Sequence, residues 1–147
     1  MDILPALFEA VGLYSSSGGL GEHLRGLDVN CQTMSRQSAY NIVFLSIIFV
    51  NALILFNYYY GLFNRHPFNK VGWWLGNILV GAIINYLVAY LGPHRDLINN
   101  RFCEQLSFQD SDCVGFGLTA AIYSMVWSTL LSVLIKWKSI YNKKIPF

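Results

Sequence analysis

Three long stretches without a charged residue dominate the pattern of hydrophobic and polar positions along this chain. Asp, Glu, Lys and Arg are absent from residues 37–64, 71–94 and 113–135, which are 28, 24 and 23 residues long. About 20 apolar residues suffice for a helix to cross about 30 Å of hydrocarbon, and a helix satisfies its own backbone hydrogen bonds there. We therefore predict an all-α polytopic membrane protein. Its three transmembrane helices are predicted at about 39–63, 71–91 and 114–135.

The composition agrees with a lipid bilayer as the surroundings. Of the 147 residues 54% are hydrophobic and 12% are charged, and the mean hydropathy is +0.42, whereas soluble domains carry about 25% charged residues. A soluble bundle of unusually apolar helices is the alternative, but three unbroken charge-free runs argue against it. The net charge of +2 is too small to indicate nucleic acid as a partner. The first 36 residues have neither a basic start nor a long apolar core, so we expect no cleaved signal peptide.

The distribution of positive charge predicts the orientation. Six of the ten Lys and Arg residues lie in the loop 64–70 and the tail 136–147, which three spans place on one side. The positive-inside rule assigns that side to the cytoplasm, and a bacterial inner membrane is the expected location. The domains are then an outward-facing N-terminal arm, 1–36, and a three-span domain, 37–147, that ends in the basic tail. The tail lysines expected to contact lipid headgroups are Lys136, Lys138, Lys143 and Lys144.

Aromatic residues and acids fit the same orientation. All eight Asp and Glu residues lie in the arm or in the second loop, on the outward side. Amphipathic rings prefer the headgroup region, so clusters beside the first loop predict the cytoplasmic interface. The cluster at the end of the first span is Tyr58, Tyr59 and Tyr60, and the one at the start of the second is Trp73 and Trp74. Trp137 marks the same level at the end of the third span.

The three cysteines are all predicted to lie outside, where a disulfide can persist. Cys103 and Cys113 share one short loop, so we predict that they pair, which stabilises the fold by roughly 3 kcal/mol on the chain-entropy model. Pairing of Cys31 with either one is the competing connectivity, and three free thiols are the simplest alternative.

The N-terminal arm contains a predicted amphipathic helix in the stretch "MDILPALFEAVGLY". Asp2 is placed to cap it, and Pro5 is tolerated in its first turn. The stretch "SSSGGLG" then breaks the helix, and a second short helix is predicted in "EHLRGL". Two interpretations of the amphipathic helix remain open: it lies on the outer leaflet, or it packs on the spans or on a neighbouring subunit.

The predicted spans contain no ionisable Asp, Glu, Lys or Arg, which argues against a pump or a proton-driven motor. They carry small and polar residues at spacings of four, which lie on nearly one helix face and favour close helix packing. The predicted packing residues are Gly72, Gly76, Asn77, Gly81 and Asn85 in the second span and Ala120, Ser124, Ser128 and Ser132 in the third. The alternative is a polar path lined by Asn41, Asn51, Asn57, Asn77 and Asn85.

No catalytic, metal or cofactor signature is found in the sequence. The histidines have no ligand spacing, and His23 is expected to be solvated. "GGLGEHLRG" follows no strand and fits no dinucleotide fingerprint. "VGFG", residues 114–117, shares letters with a potassium selectivity filter, but it leads inward into the third span. We interpret its glycines as a flexible start to that span.

These observations predict a small structural or anchor subunit of a larger envelope assembly, such as a secretion or injection apparatus, rather than an enzyme. Its partners would be the lipid bilayer and other membrane subunits or copies of itself. A homo-oligomeric pore lined by Asn and Ser is the alternative function, and an enzyme acting on lipid ranks third.

Overall fold

The computed structural model describes residues 3–17, 19–27, 29–34, 37–61, 70–107 and 109–136. Within these ranges the chain forms helices and no strand, which confirms the predicted all-α class. The helices are α1 (Ile3–Glu9), α2 (Leu20–Leu24), α3 (Ala39–Tyr60), α4 (Val71–Ile98) and α5 (Asp110–Ile135).

Helices α3, α4 and α5 are the three predicted spans. They contain 22, 28 and 26 residues, which at 1.5 Å per residue makes them about 33, 42 and 39 Å long. Each is long and apolar enough to cross a membrane, so an integral membrane protein with three spanning helices is supported. The short α1 is the predicted N-terminal helix, although it ends at Glu9 instead of continuing to Tyr14.

Helix α4 ends at Ile98, not at the predicted Leu91. The predicted span ends just before Pro93, and proline has no N–H and removes one helical hydrogen bond. The helix nevertheless continues through Pro93 for another turn and carries Arg95 in its last turn. A charged turn can therefore follow the apolar part of the same helix.

Helix α5 begins at Asp110, four residues before the predicted Val114. Its first turn holds two acids, which the positive end of a helix dipole favours. The carboxylate of Asp112 accepts hydrogen bonds from the backbone N–H groups of Gln109 and Ser15, each at 3.0 Å. Asp112 thus fixes the start of α5 and holds part of the N-terminal arm.

Contacts group the chain into two compact units whose boundaries fall inside the long helices. Unit 1 comprises Met1–Leu45 and Tyr86–Ala120, and unit 2 comprises Ser46–Asn85 and Ala121–Phe147. The arm 1–36 therefore shares a unit with the first residues of α3 and α5. The domain boundary that we predict at residue 36 stays a prediction.

An aromatic cluster forms the centre of unit 1. The ring of Phe116 lies 5.8 Å from that of Phe8, 5.5 Å from that of Tyr14 and 5.7 Å from that of Tyr40, between centroids. Phe8 of α1 is only 1% exposed. Of the two interpretations of the N-terminal helix, packing on the spans is therefore favoured, while Ile3 and Leu7 of the same helix stay exposed.

The glycines of "VGFG" are packing positions, which corrects their interpretation as a flexible start. Both lie inside α5 and both are buried. A Cβ at Gly115 would overlap the carbonyl oxygen of Leu13, and one at Gly117 would lie 2.8 Å from a ring carbon of Tyr86. These glycines let other parts of unit 1 approach the backbone of α5.

The centre of unit 2 is a second aromatic cluster. Tyr58, Tyr59 and Trp74 are buried there with Leu55 and Ile78. Three rings expected in the headgroup belt are thus inside the protein. Of the other three, Trp73 is exposed, Tyr60 is half-buried, and Trp137 lies outside the described residues.

The predicted Cys103–Cys113 disulfide is wrong. Cys103 is bonded to Cys31, with Cα atoms 5.3 Å apart, and Cys113 is a free, buried thiol. The prediction assumed that Cys113 lies in a loop, but α5 has already begun at Asp110 and directs Cys113 into the core of unit 1. The bond instead links two loops separated by 72 residues, which is the connectivity that the sequence left open.

Non-reducing peptide mapping is expected to recover a peptide that links Cys31 to Cys103, with Cys113 as a thiol. Cys31→Ser should lower the free energy of unfolding by up to about 4 kcal/mol, because the bond closes a long loop. Cys113→Ala is the control, since it leaves the bond intact. A peptide containing bonded Cys113 would contradict this connectivity.

Candidate functional site

Three polar side chains from three helices meet in unit 2. Asn51 of α3 and Asn85 of α4 both direct their amide nitrogens at the hydroxyl of Ser124 in α5, at 2.9 and 3.0 Å. Their exposed fractions are 1%, 0% and 0%. We call these three residues the amide–hydroxyl cluster, and it is a fully buried polar feature that joins three helices.

The hydrogen bonds of this cluster are saturated. Each Asn uses its second amide hydrogen on a carbonyl of its own helix: Asn51 donates to Ile47 at 2.8 Å and Asn85 donates to Gly81 at 2.9 Å. The Ser124 hydroxyl, which accepts both other amide hydrogens, donates its own to Oδ1 of Asn51 at 3.1 Å. A hydroxyl has one hydrogen and two lone pairs, so Ser124 has no capacity left.

The remaining amide oxygen is also engaged. Oδ1 of Asn85 accepts a hydrogen bond from the hydroxyl of Ser46 in α3 at 2.8 Å. Unsatisfied polar groups in an apolar interior cost several kcal/mol, and this arrangement leaves none in the cluster. The cluster therefore links three helices through hydrogen bonds, and its N–H and O–H groups are not available to a ligand.

Gly81 makes the cluster possible. A Cβ at this position would overlap Oδ1 of Asn51, so only glycine lets the Asn51 amide lie against the backbone of α4. The sequence singled out Gly81 and Asn85 for their spacing of four, but it did not reveal that Asn51 of the first span belongs with them.

A second polar contact involves Ser132, which lies about two helical turns beyond Ser124 on α5. Ser132 accepts a hydrogen bond from the indole nitrogen of Trp74 at 2.8 Å and bonds to the hydroxyl of Tyr59. Ser128, between the two serines, is buried as well. Ser132 thus satisfies the polar ends of two buried rings, those of Tyr59 and Trp74.

The structure distributes the predicted packing residues unevenly. Asn77 donates to the Trp73 carbonyl of its own helix at 2.8 Å, and a Cβ at Gly72 or Gly76 would meet nothing within 4 Å. Among the described residues, Gly72 and Gly76 therefore have open space beside them, and the side-chain hydrogen bond of Asn77 stays within α4. The buried members of the predicted set are Gly81, Asn85, Ala120, Ser124, Ser128 and Ser132. Whether the set drives assembly stays a prediction.

Unit 1 contains a different polar network, built around a carboxylate. Arg25 contacts both oxygens of Glu9, at 2.7 and 2.9 Å. The Tyr40 hydroxyl donates to the same carboxylate at 3.1 Å, and Tyr14 donates to Tyr40 at 3.1 Å. This network joins the arm to the first turn of α3. Sequence reasoning missed it, although opposite charges on two short helices of one arm were the available signal.

Two histidines pair with acids in unit 1. Nε2 of His23 lies 3.2 Å from Oδ2 of Asp96, and Nδ1 of His94 lies 2.7 Å from Oδ1 of Asp110. His23 is 7% exposed, so its expected solvation is wrong: α2 turns this side chain towards α4. His66 lies outside the described residues.

The basic tail falls almost wholly outside the described residues. Lys136, the last of them, is half-buried, and Lys138, Lys143 and Lys144 are among those left undescribed. Asp2, the predicted helix cap, is also undescribed. The predicted headgroup contacts of the tail stay a prediction.

No family model matches this chain, and comparisons with curated proteins and with solved structures found no match.

Gly81→Ala should lower the free energy of unfolding by about 1–3 kcal/mol, because its methyl group displaces the Asn51 amide from a packed interior. Gly76→Ala is the matched control on the same helix, in open space, and should leave stability unchanged or slightly higher. Unfolding in mixed micelles with increasing SDS measures both. Equal stability of the two variants would contradict the contact at Gly81.

Ser124→Ala should cost about 1–3 kcal/mol, because it leaves two buried amide hydrogens without an acceptor. Thr129→Ala is the control on the same helix: its hydroxyl donates to the Met125 carbonyl at 2.9 Å, so its removal strands no donor. The same SDS titration applies. If Ser124→Ala lowered the free energy of unfolding no more than Thr129→Ala does, the cluster would contribute little to stability.

Proposed function

We propose that this chain is a small structural subunit that anchors or scaffolds a larger envelope assembly, such as a secretion or injection apparatus of a bacterial inner membrane, and that its role is not catalytic. The supporting observation is the saturated amide–hydroxyl cluster. Its polar groups are consumed in joining α3, α4 and α5, which suits a rigid helical insert better than a transport path.

The outer faces of the spans support the same proposal. Large apolar side chains such as Leu53, Phe49 and Leu134 are 70%, 62% and 71% exposed. Such surfaces suit contact with lipid tails, and helix association in a membrane uses van der Waals packing of similar faces. Lipid and the helices of further subunits, or of other copies of this chain, are the partners in this proposal.

Burial weighs against the alternative of a homo-oligomeric pore. A lumen lined by Asn and Ser requires those side chains to face outward from each subunit. Asn51, Asn85 and Ser124 instead face one another, and their N–H and O–H groups all donate to acceptors within the protein. Opening them to a lumen would break hydrogen bonds that the cluster already makes.

The disulfide supports an outward N-terminal arm. Such bonds persist in oxidising compartments and are rare in the cytosol, and the Cys31–Cys103 bond joins the arm to the second loop. The positive-inside rule favours the cytoplasm for the side that carries the basic first loop and tail, which is the side opposite the arm in our proposal. Both observations lead to the same proposed orientation.

Planar-bilayer recording on the purified chain tests anchor against pore. We expect no unitary currents, and we expect other envelope subunits to co-purify in fixed stoichiometry after mild solubilisation from the native membrane. Discrete currents that Ser124→Leu abolishes, while Leu130→Ile leaves them unchanged, would overturn the anchor proposal. If the chain purifies without other subunits and conducts no current, the proposed role in an envelope assembly would be wrong.

A membrane-impermeant maleimide tests the orientation. In a Cys113→Ala background, reduced Cys31 should be labelled in intact spheroplasts, because it is only half-buried and lies in the outward arm. A cysteine introduced at Lys70, at the exposed start of α4, should be labelled only after lysis. The reverse pattern would invert the orientation.

A further inference from the structure

A cavity of about 390 Å³ lies in unit 1 where the charge-free parts of two helices end. Its wall combines the start of α3 with the last turns of α4 and part of α2. The wall residues used below are His23, Ile42, Gly92, Arg95, Asp96 and Arg101. The function proposed above does not use this cavity.

The cavity wall carries an excess of positive charge. Arg95 and Arg101 both line it, and guanidinium groups bind phosphate oxygens through paired, charge-assisted hydrogen bonds. Asp96 is the one acid among its described wall residues, and His23 lies 3.2 Å from that carboxylate. The two arginines therefore outnumber the one carboxylate among these residues.

Another part of the cavity wall is apolar and reaches the protein surface. Leu24, Ala39 and Ile42 line it, and Ile42 is 52% exposed. Ala39 is also the first residue of α3, and the N-terminus of a helix favours an anion through its free N–H groups and its dipole. Charge and apolar surface in one cavity fit an amphiphile with an anionic head.

We propose that this cavity binds the phosphate group of a phospholipid, with Arg95 and Arg101 contacting the phosphate oxygens and Ile42 contacting the start of an acyl chain. Because the charge-free segments begin at residue 37 and end at residue 94 beside this cavity, our proposal puts the cavity at the headgroup level. Basic pockets at a membrane boundary are suited to anionic headgroups. This inference does not depend on whether the chain is an anchor subunit.

The purified chain in detergent micelles is titrated with dioctanoylphosphatidylglycerol, and native mass spectrometry counts the bound molecules. We expect one saturable site. Combined Arg95→Gln and Arg101→Gln should weaken the binding by about tenfold or more, since two charge-assisted contacts are lost. Arg65→Gln with Lys70→Gln removes the same charge from the first loop and should leave the affinity unchanged.

A second variant fills the cavity without altering its charge. A Cβ at Gly92 meets nothing within 4 Å, so Gly92→Leu should extend into the cavity and reduce binding by a similar factor. Gly72→Leu, also in open space on α4, is the matched control. Circular dichroism and gel filtration establish that each variant stays folded.

The outcomes separate the phosphate assignment from the lipid assignment. Unchanged lipid binding in both the arginine variant and Gly92→Leu would overturn the site, as would equal losses in the two controls. Inorganic phosphate, titrated alone, should bind at least tenfold more weakly than the lipid, because it lacks the apolar contacts. Equal affinity for inorganic phosphate would overturn the lipid assignment.

Discussion

The requirement that buried polar groups find partners inside an apolar environment is the constraint on which unit 2 depends. Ser124 meets it for two helices at once, by accepting amide hydrogens from Asn51 and Asn85. That geometry is available only if α3, α4 and α5 meet at one level, and only if Gly81 leaves room for the Asn51 amide. The arrangement that packs the helices closely is therefore also the one in which the hydrogen bonds of the cluster can form.

Unit 1 is stabilised by different chemistry, because it contains the charged residues that the spans exclude. A carboxylate shared by Arg25 and Tyr40, a ring cluster around Phe116 and a disulfide hold the arm. Each of these contacts joins segments that are distant in the sequence. The arm is thus an integral part of unit 1, and the proposed headgroup cavity is built from the same segments.

The two units suggest one functional logic. In unit 2 the amide–hydroxyl cluster turns its polar groups inward and pairs them, and the exterior of the spans offers lipid or other helices an apolar face. Unit 1 contains a charged pair, Arg25 with Glu9, and the cavity lined by Arg95 and Arg101 is the one that we propose for a phosphate. A protein of this kind would hold a position and an orientation in a membrane, which is the role we propose.

The sequence by itself determined the class, the three spans and the candidates for the packed face, because hydrocarbon excludes charge over a length that can be counted. Span ends were less predictable: helix α4 passes Pro93, and Asp110 begins α5, because local hydrogen bonds and the helix dipole outweighed the apolar boundary. Only the tertiary structure decided that Cys103 bonds to Cys31, that His23 is buried, and that Asn51 joins Asn85 through Ser124. Such contacts form only where side chains of distant segments come within about 3 Å of each other. The spacing of residues along one helix does not indicate which other segment they contact.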